Sequence, residues 1–256
     1  MLIVGCPTYR KFDLCVRMIE SANLGTLAPD YFLIMDNGAG GFEQYCTNNN
    51  IALGRSVYVI NPGENLGVAR SWNAMIKIVA NNDPDALLLI VNDDIEFEET
   101  AIERMTAAYQ EKNGTRDNES GNGAHVVYCA GGIDAPNAFS LFMVHPATFL
   151  NNLGPFDETL WPGYYDDNDM HYRMKMQGYD LTRVADVTAI HNEGGSATLK
   201  SYSADERLKH DHQFRRNGAY YMMKWGGMPG EEKYTTPFNG LDIVGVVQHL
   251  QQYYGF

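Results

Sequence analysis

Two groups of acidic residues sit where apolar runs end, and these hold the residues best suited to chemistry. Asn92-Asp93-Asp94-Ile95-Glu96 follows Leu87 to Val91 directly, so its first carboxylates emerge at a strand end. A hard divalent cation that keeps waters and takes phosphate oxygens needs only one or two carboxylates, with an imidazole as a further ligand. Asp94 and the distant His191 are candidates for that set, although His191 taken alone reads equally as a partly buried histidine at a strand end. Asp166-Asp167-Asn168-Asp169 follows the aromatic stretch Trp161-Pro162-Gly163-Tyr164-Tyr165. Acids in a first helical turn complement the helix dipole. Here they also stand beside rings on which a sugar face can stack, where a carboxylate next to a sugar hydroxyl would serve as general base.

Three further strand ends carry groups suited to a nucleotide. Pro7-Thr8-Tyr9-Arg10 offers a hydroxyl, an aromatic face and a cation. In Asp36-Asn37-Gly38 a carboxylate is available to the ring N–H of uracil, thymine or guanine. Asn65-Leu66-Gly67 opens a long helix whose N-terminal N–H groups, with Arg70, favour anions. Taken singly, Asp36 and Asn65 read equally well as turn residues or helix caps.

The elements that must position these groups follow from periodicity. Strands are predicted at Leu2 to Val4, Tyr31 to Met35, Ser56 to Ile60 and Ala86 to Val91, with helices over Asp13 to Ala22 and Gly67 to Ala80 between them. In the second helix Val68, Trp72, Met75, Ile76 and Val79 form one stripe. Apolar runs alternating with helical periods predict a Rossmann-like, mostly parallel sheet flanked by helices, in which ligands gather at the ends of the strands. Beyond Val91 the pattern predicts a helix from Glu98 to Lys112 and a mobile loop through Gly123. Strands at His125 to Ala130 and Phe139 to Val144 follow, then helices at Pro146 to Asn152 and Asp167 to Gln177, and a single strand from Leu181 to Ala189. From Lys200 the chain reads as helical to about Trp225.

With 256 residues, 45% of them hydrophobic, the chain can form one large α/β core. A single domain over 1–256 is expected, with a nucleotide-binding half at about 1–97 and an acceptor and catalytic half at about 98–240. A formal charge of −13 repels phosphate backbones, so nucleic acid is not an expected partner. No apolar run approaches the ~20 residues of a membrane span, and Met1 to Pro7 lacks the charge and length of a signal peptide. A soluble, cytoplasmic protein is expected. Cys6, Cys15, Cys46 and Cys129 form no C-x-x-C pair and read as reduced thiols.

In joint order and spacing these segments resemble glycosyltransferase family 2, in particular its rhamnosyltransferase-like branch, over Leu2 to Phe238. Further segments share in the resemblance: Gly154-Pro155-Phe156-Asp157-Glu158, Gly178-Tyr179, His191-x-x-Gly194-Gly195-Ser196 and Tyr220 to Gly227. It implies a GT-A type fold with a C-terminal, acceptor-side helical portion. It places Pro7, Thr8, Tyr9, Arg10, Asp36, Asn65, Gly67, Arg70, Asn73, Asn92 and Asp93 on the nucleotide side. Trp161, Tyr164, Asp166 and Asp169 fall on the acceptor side, Asp94 and His191 at a Mn²⁺ or Mg²⁺ ion, and Asp167 is the catalytic base. Asn92 stands where the family's D-x-D motif begins with Asp, which leaves open whether Asp93 or Asp94 meets the metal. Asp166 stands where the family's E-D pair has Glu.

The resemblance implies a metal-dependent inverting transfer of a sugar from a UDP- or dTDP-sugar to an acceptor hydroxyl. Two other readings use the same residues. A sugar nucleotidyltransferase would carry a glycine-rich, basic loop after the first strand, which Gly5-Cys6-Pro7-Thr8-Tyr9 is not. A catalytically silent nucleotide- or carbohydrate-binding domain would have no need of both acid groups and His191.

Overall fold

The structure is a computed structural model and describes residues 1–54, 56–114, 126–128, 139–179, 181–184, 187, 189–191, 197–242, 244–245, 247–248 and 251. A seven-stranded sheet runs through its centre. The first half alternates strictly: β1 (Leu2–Thr8), α1 (Phe12–Leu24), β2 (Tyr31–Asp36), α2 (Gly41–Asn48), β3 (Val57–Ile60), α3 (Gly67–Asn82) and β4 (Leu87–Val91). The second half contains β5 (Ile95–Phe97), α4 (Ala101–Gly114), β6 (Val126–Tyr128), β7 (Leu141–Val144), α5 (Pro146–Asn152), α6 (Asp166–Met176), β8 (Leu181–Arg183), β9 (Ala189–His191), α7 (Ala197–Lys200) and α8 (Ala204–Trp225).

The sheet order is β3-β2-β1-β4-β7-β6-β8, and only β7 runs against the others. The chain lays β2 and β3 on one side of β1, then returns through α3 to place β4 on the other side. The direction of winding therefore reverses between β1 and β4, and a crevice opens beyond their C-terminal ends. Both faces of the central strands are apolar, as a sheet covered on both sides requires. Val4 and Cys6 of β1 pack with Cys15, Met18 and Ile19 of α1 on one face, while Ile3 packs with Met75, Ile76 and Val79 of α3 on the other. β1 is longer than predicted. It pairs with β4 only as far as Gly5, so Pro7 lies where that side of the strand has no ladder to feed and its missing N–H is not needed.

Two predicted elements need correction. The single strand expected from Leu181 to Ala189 is two: β8 adds to the edge of the main sheet beside β6, and β9 pairs antiparallel with β5 in a separate two-stranded sheet. One straight strand could not reach both partners. Ile95-Glu96-Phe97, read as part of an acidic run, is strand β5 because Ile95 and Phe97 are buried while Glu96 turns out to Arg17 at 3.2 Å. Helix α2 was not predicted, since only Phe42 and Cys46 of its eight residues are buried. Asn113 and Gly114, expected to open the mobile loop, belong to α4, and the rest of that expected loop, residues 115–125, lies outside the described residues.

Gly67 joins the two halves. Its φ is +73°, and a Cβ there would stand 2.6 Å from the Pro162 carbonyl oxygen and 2.8 Å from Trp161. Gly67→Ala is expected to destabilise the protein by more than ~1 kcal/mol, since the native conformation suits neither the new side chain nor its neighbours. Thermal unfolding measures this, and an unchanged melting temperature would mean that the Trp161-Pro162 segment is not held against α3.

Candidate active site

The crevice at the switch point is built by β1 and β4. Thr8 donates its hydroxyl to Asp93 Oδ2 at 2.8 Å, and the Tyr9 N–H points to the same oxygen at 3.3 Å. Burial, reinforced by neighbouring Asp94, raises the Asp93 carboxyl to about 7. Asp94 is itself only 6% exposed, and Asn92 is half-buried beside the pair. The β5–β9 ladder pairs Ile95 with His191, so the His191 backbone lies across from the residue that follows Asp94. Ninety-seven positions separate His191 from Asp94 in the chain (191 − 94), and tertiary structure brings their backbones together. The His191 side chain lies outside the described residues, among which no group of three ligating side chains forms a cluster. Two adjacent carboxylates with an imidazole-bearing strand beside them suit a divalent ion.

Arg10 is held by α8. It has φ +67°, stacks over Tyr9 at 4.9 Å and Tyr202 at 5.6 Å, and donates to Glu206 of α8 at 2.6 Å. That bond, with the Ser203 backbone and hydroxyl, lowers the Glu206 carboxyl to about 2.

On the β2 and α3 side the expected nucleotide-binding residues are engaged by the protein itself. Asp36 is fully buried, and its two oxygens accept from Gly38 N at 2.8 Å and Phe42 N at 2.9 Å. It shapes the loop into α2 in this conformation and presents no surface to a nucleobase. The N–H groups at the start of α3 are likewise engaged: Leu66 N donates to Asn37 Oδ1, Gly67 N to Asn65 Oδ1 and Val68 N to the Pro162 carbonyl. Protein acceptors thus take these three N–H groups at the helix start where an anion site is expected. Asn73, grouped by resemblance with the nucleotide, is 1% exposed. It holds Phe156 N, the Phe156 carbonyl and Glu158 with bonds of 2.8–2.9 Å, and so orders the turn before the aromatic stretch. Arg70 remains exposed, 3.9 Å from Glu158.

The second acid group begins α6, behind a backbone that ordinary residues resist. Tyr164 and Tyr165 both have positive φ, +73° and +68°, a conformation costing on the order of 1–3 kcal/mol per residue unless the surroundings impose it. Helix α8 imposes it. Asn217 donates to the Trp161 and Gly163 carbonyls at 3.2 and 2.8 Å, and Arg216 donates to the Trp161 carbonyl at 2.9 Å. Phe214 packs on both tyrosine rings, Tyr221 packs on Tyr165, and the Tyr164 hydroxyl lies 3.1 Å from His210 Nε2. The three acids that follow have different fates. Asp166 is buried, and burial with the nearby charge of Asp167 pushes its carboxyl well above the usual carboxylate range. Asp167 is half-buried, accepts from Asn168 N at 2.8 Å, and is raised by burial to about 6.

Asp169, expected on the acceptor side, has no exposed surface. It accepts from Trp225 Nε1 at 2.8 Å and Arg173 Nε at 3.0 Å, and pairs with Lys224. Lys224 also reaches Asp157 at 2.7 Å. Burial acts to raise the Asp157 carboxyl, but the Lys224 ammonium outweighs it and the net shift is downward. This buried network fixes α6 to the end of α8 and leaves Asp167 as the carboxylate of the three with both exposure and raised basicity.

Glu206, His210, Phe214 and Asn217 were not singled out from sequence, and Tyr221 entered only as part of a segment without a role of its own. Their spacing of four, four, three and four residues lays them along one face of α8. That polar and aromatic stripe was a legible signal. It meets Arg10 at one end and the Tyr164-Tyr165 turn beyond, so both acid groups border elements tied to one helix.

No protein-family model matches the chain, and no protein of curated function matches it in sequence. Solved structures do. Residues 1–349 of S. aureus TarS align with a TM-score of 0.53 at 12% identity over 84% of this chain and 71% of that one. The same fragment in complex with UDP-GlcNAc aligns over 98% and 71%, with the same score and identity. Mannosyltransferase PcManGT from Pyrobaculum calidifontis, in complex with GDP-Man and Mn²⁺, gives a TM-score of 0.56 at 15% identity over 90% and 66%. The chain thus shares with these solved structures the GT-A type fold expected from its sequence: a mostly parallel central sheet flanked by helices, with the strand order reversing at β1 and β4.

Proposed function

We propose that the protein is a metal-dependent, inverting glycosyltransferase of the family 2 type, moving a sugar from a nucleotide-diphosphate-sugar to an acceptor hydroxyl. The observation that carries this reading is the pairing of two unlike acid groups on a GT-A scaffold. One pair, Asp93 and Asp94, stands at the switch-point crevice beside the His191 strand. The other contains a carboxylate, Asp167, whose proton affinity is raised toward neutrality. Solved structures of this fold hold UDP-GlcNAc in one case and GDP-Man with Mn²⁺ in another, which supports a nucleotide-sugar donor and a divalent ion here.

In this reading Thr8, Tyr9 and Asn92 line the donor side, and Asp93 is oriented by Thr8. Asp94 and His191 would hold Mn²⁺ or Mg²⁺, which supplies neutralisation of charge on the departing nucleoside diphosphate. Asp167 accepts the proton of the acceptor hydroxyl as its oxygen bonds to the anomeric carbon from the face opposite the diphosphate. The bond from that carbon to the diphosphate oxygen breaks, and the configuration inverts. Tyr164 and Trp161 border the acceptor side, and Asp166 is buried next to Asp167 with its carboxyl pushed well above the usual carboxylate range.

Titration calorimetry with UDP, dTDP and GDP tests the donor side. At least one should bind about tenfold tighter or more, ~1.4 kcal/mol, in Mn²⁺ than in EDTA. Equal affinity in both conditions would remove Asp94 and His191 from any metal role.

A further inference from the structure

An open pocket of about 550 Å³ lies beside Trp161, between the start of α3 and α8. Its walls are Trp161, Glu64, Glu158, Arg70, Arg216 and Asn65, with Thr159 at the edge. The volume falls within the ~300–1,000 Å³ of small-molecule sites. Three features limit what it can take. Trp161 is pinned on two sides, its Nε1 donating to the Asn65 carbonyl at 3.2 Å and its own carbonyl accepting from Arg216 and Asn217, so the indole is a fixed wall and not a mobile cover. Two carboxylates and two guanidiniums line the space, which therefore carries no net formal charge. Arg70 and Glu158 are 3.9 Å apart and roughly half exposed, too loosely paired to neutralise each other in a fixed geometry.

A rigid aromatic wall faced by alternating carboxylates and guanidiniums matches a ring with an apolar C–H face and a rim of vicinal hydroxyls, because carboxylates accept from hydroxyls and guanidiniums donate to them. A diphosphate would meet the attraction of Arg70 and Arg216 offset by the repulsion of Glu64 and Glu158, with no net positive charge to favour it, and an apolar ligand would leave four charges desolvated. We infer that this pocket is a binding subsite for a neutral saccharide, with room for more than one pyranose ring. Since Trp161 continues directly into the Tyr164 to Asp167 turn, its occupant would be the part of an oligosaccharide acceptor that extends away from the reacting hydroxyl. That last step rests on the transferase reading; the saccharide subsite does not.

The test uses the full chain, labelled and applied to a printed array of neutral and acidic oligosaccharides, beside Glu64→Ala and Glu158→Gln. Glu158→Gln keeps an amide oxygen for Asn73, and Glu64 is exposed, so both variants should fold, which circular dichroism checks. Retention of neutral di- or trisaccharides is expected, weakened about tenfold or more in each variant by loss of a charge-assisted hydrogen bond. Retention of acidic glycans only, of none, or undiminished retention in both variants would overturn the inference. So would displacement of bound saccharide by uridine alone, which would make the pocket a nucleoside site. Release of nucleotide from donor sugars in water is measured in parallel. Its absence with saccharide binding intact would count against the transferase reading and leave the subsite standing, while its persistence with no saccharide bound would do the reverse.

Discussion

Replacing Asp169 with Asn should lower stability by about 3–5 kcal/mol, the cost of removing one partner from a buried ion pair. The substitution leaves Arg173 Nε and the Trp225 indole facing a neutral amide, one of whose two ends is a donor that neither can accept from. Lys224 would retain Asp157 alone. If the acids of α6 acted only by complementing the helix dipole, each would contribute ~0.3–1 kcal/mol and the three would be interchangeable. The structure separates them. Asp166→Asn should be neutral or stabilising at pH 7, because burial disfavours its charge and the amide carries none. Urea unfolding of both variants gives the comparison, and equal, sub-kcal losses would mean that the Asp157, Lys224 and Asp169 network does not hold α6 in solution.

The largest catalytic effect is expected at Asp167. Asp167→Asn keeps the shape of the side chain and its bond from Asn168 N but removes the proton acceptor, so turnover should fall by about 10²-fold or more, with nucleotide affinity little changed. The pH dependence carries a second signature. A base raised to about 6 must lose its proton to act, so the wild-type rate should climb through pH 6 and level above it. Stability runs the other way. Because the folded-state value lies above the ordinary 3.8, the folded protein favours the protonated form; this contribution is present below about pH 4 and is lost as pH rises through about 6. Asp167→Asn should therefore be at least as stable as wild type at pH 7, so that a rate loss cannot be attributed to unfolding. A variant with near-normal turnover would move the base off α6, since Asp166 and Asp169 are both buried.

What could be read from the sequence was set by local periodicity and by residues adjacent in the chain. The apolar runs at Leu2, Tyr31, Ser56 and Ala86, the stripe of α3, and the two acid groups at strand or helix ends are short-range patterns, and each falls where the structure has the corresponding element. The same locality explains the rest. Whether Asn73 and the start of α3 face a ligand or the protein depends on which groups lie within reach, and the donor to Asn73, Phe156 N, and the acceptor for Val68, the Pro162 carbonyl, come from 83 and 94 positions away. The three acids of Asp166 to Asp169 look alike in sequence; only the arrival of Lys224 and Trp225 at the end of α8 makes one of them structural and leaves another half-exposed. The approach of His191 to Asp94 is decided by the β5–β9 ladder, which cannot be inferred from three-residue strands whose pairing supplies most of their stability. Sequence determined which residues could do the chemistry, and long-range packing decided which of them are free to do it.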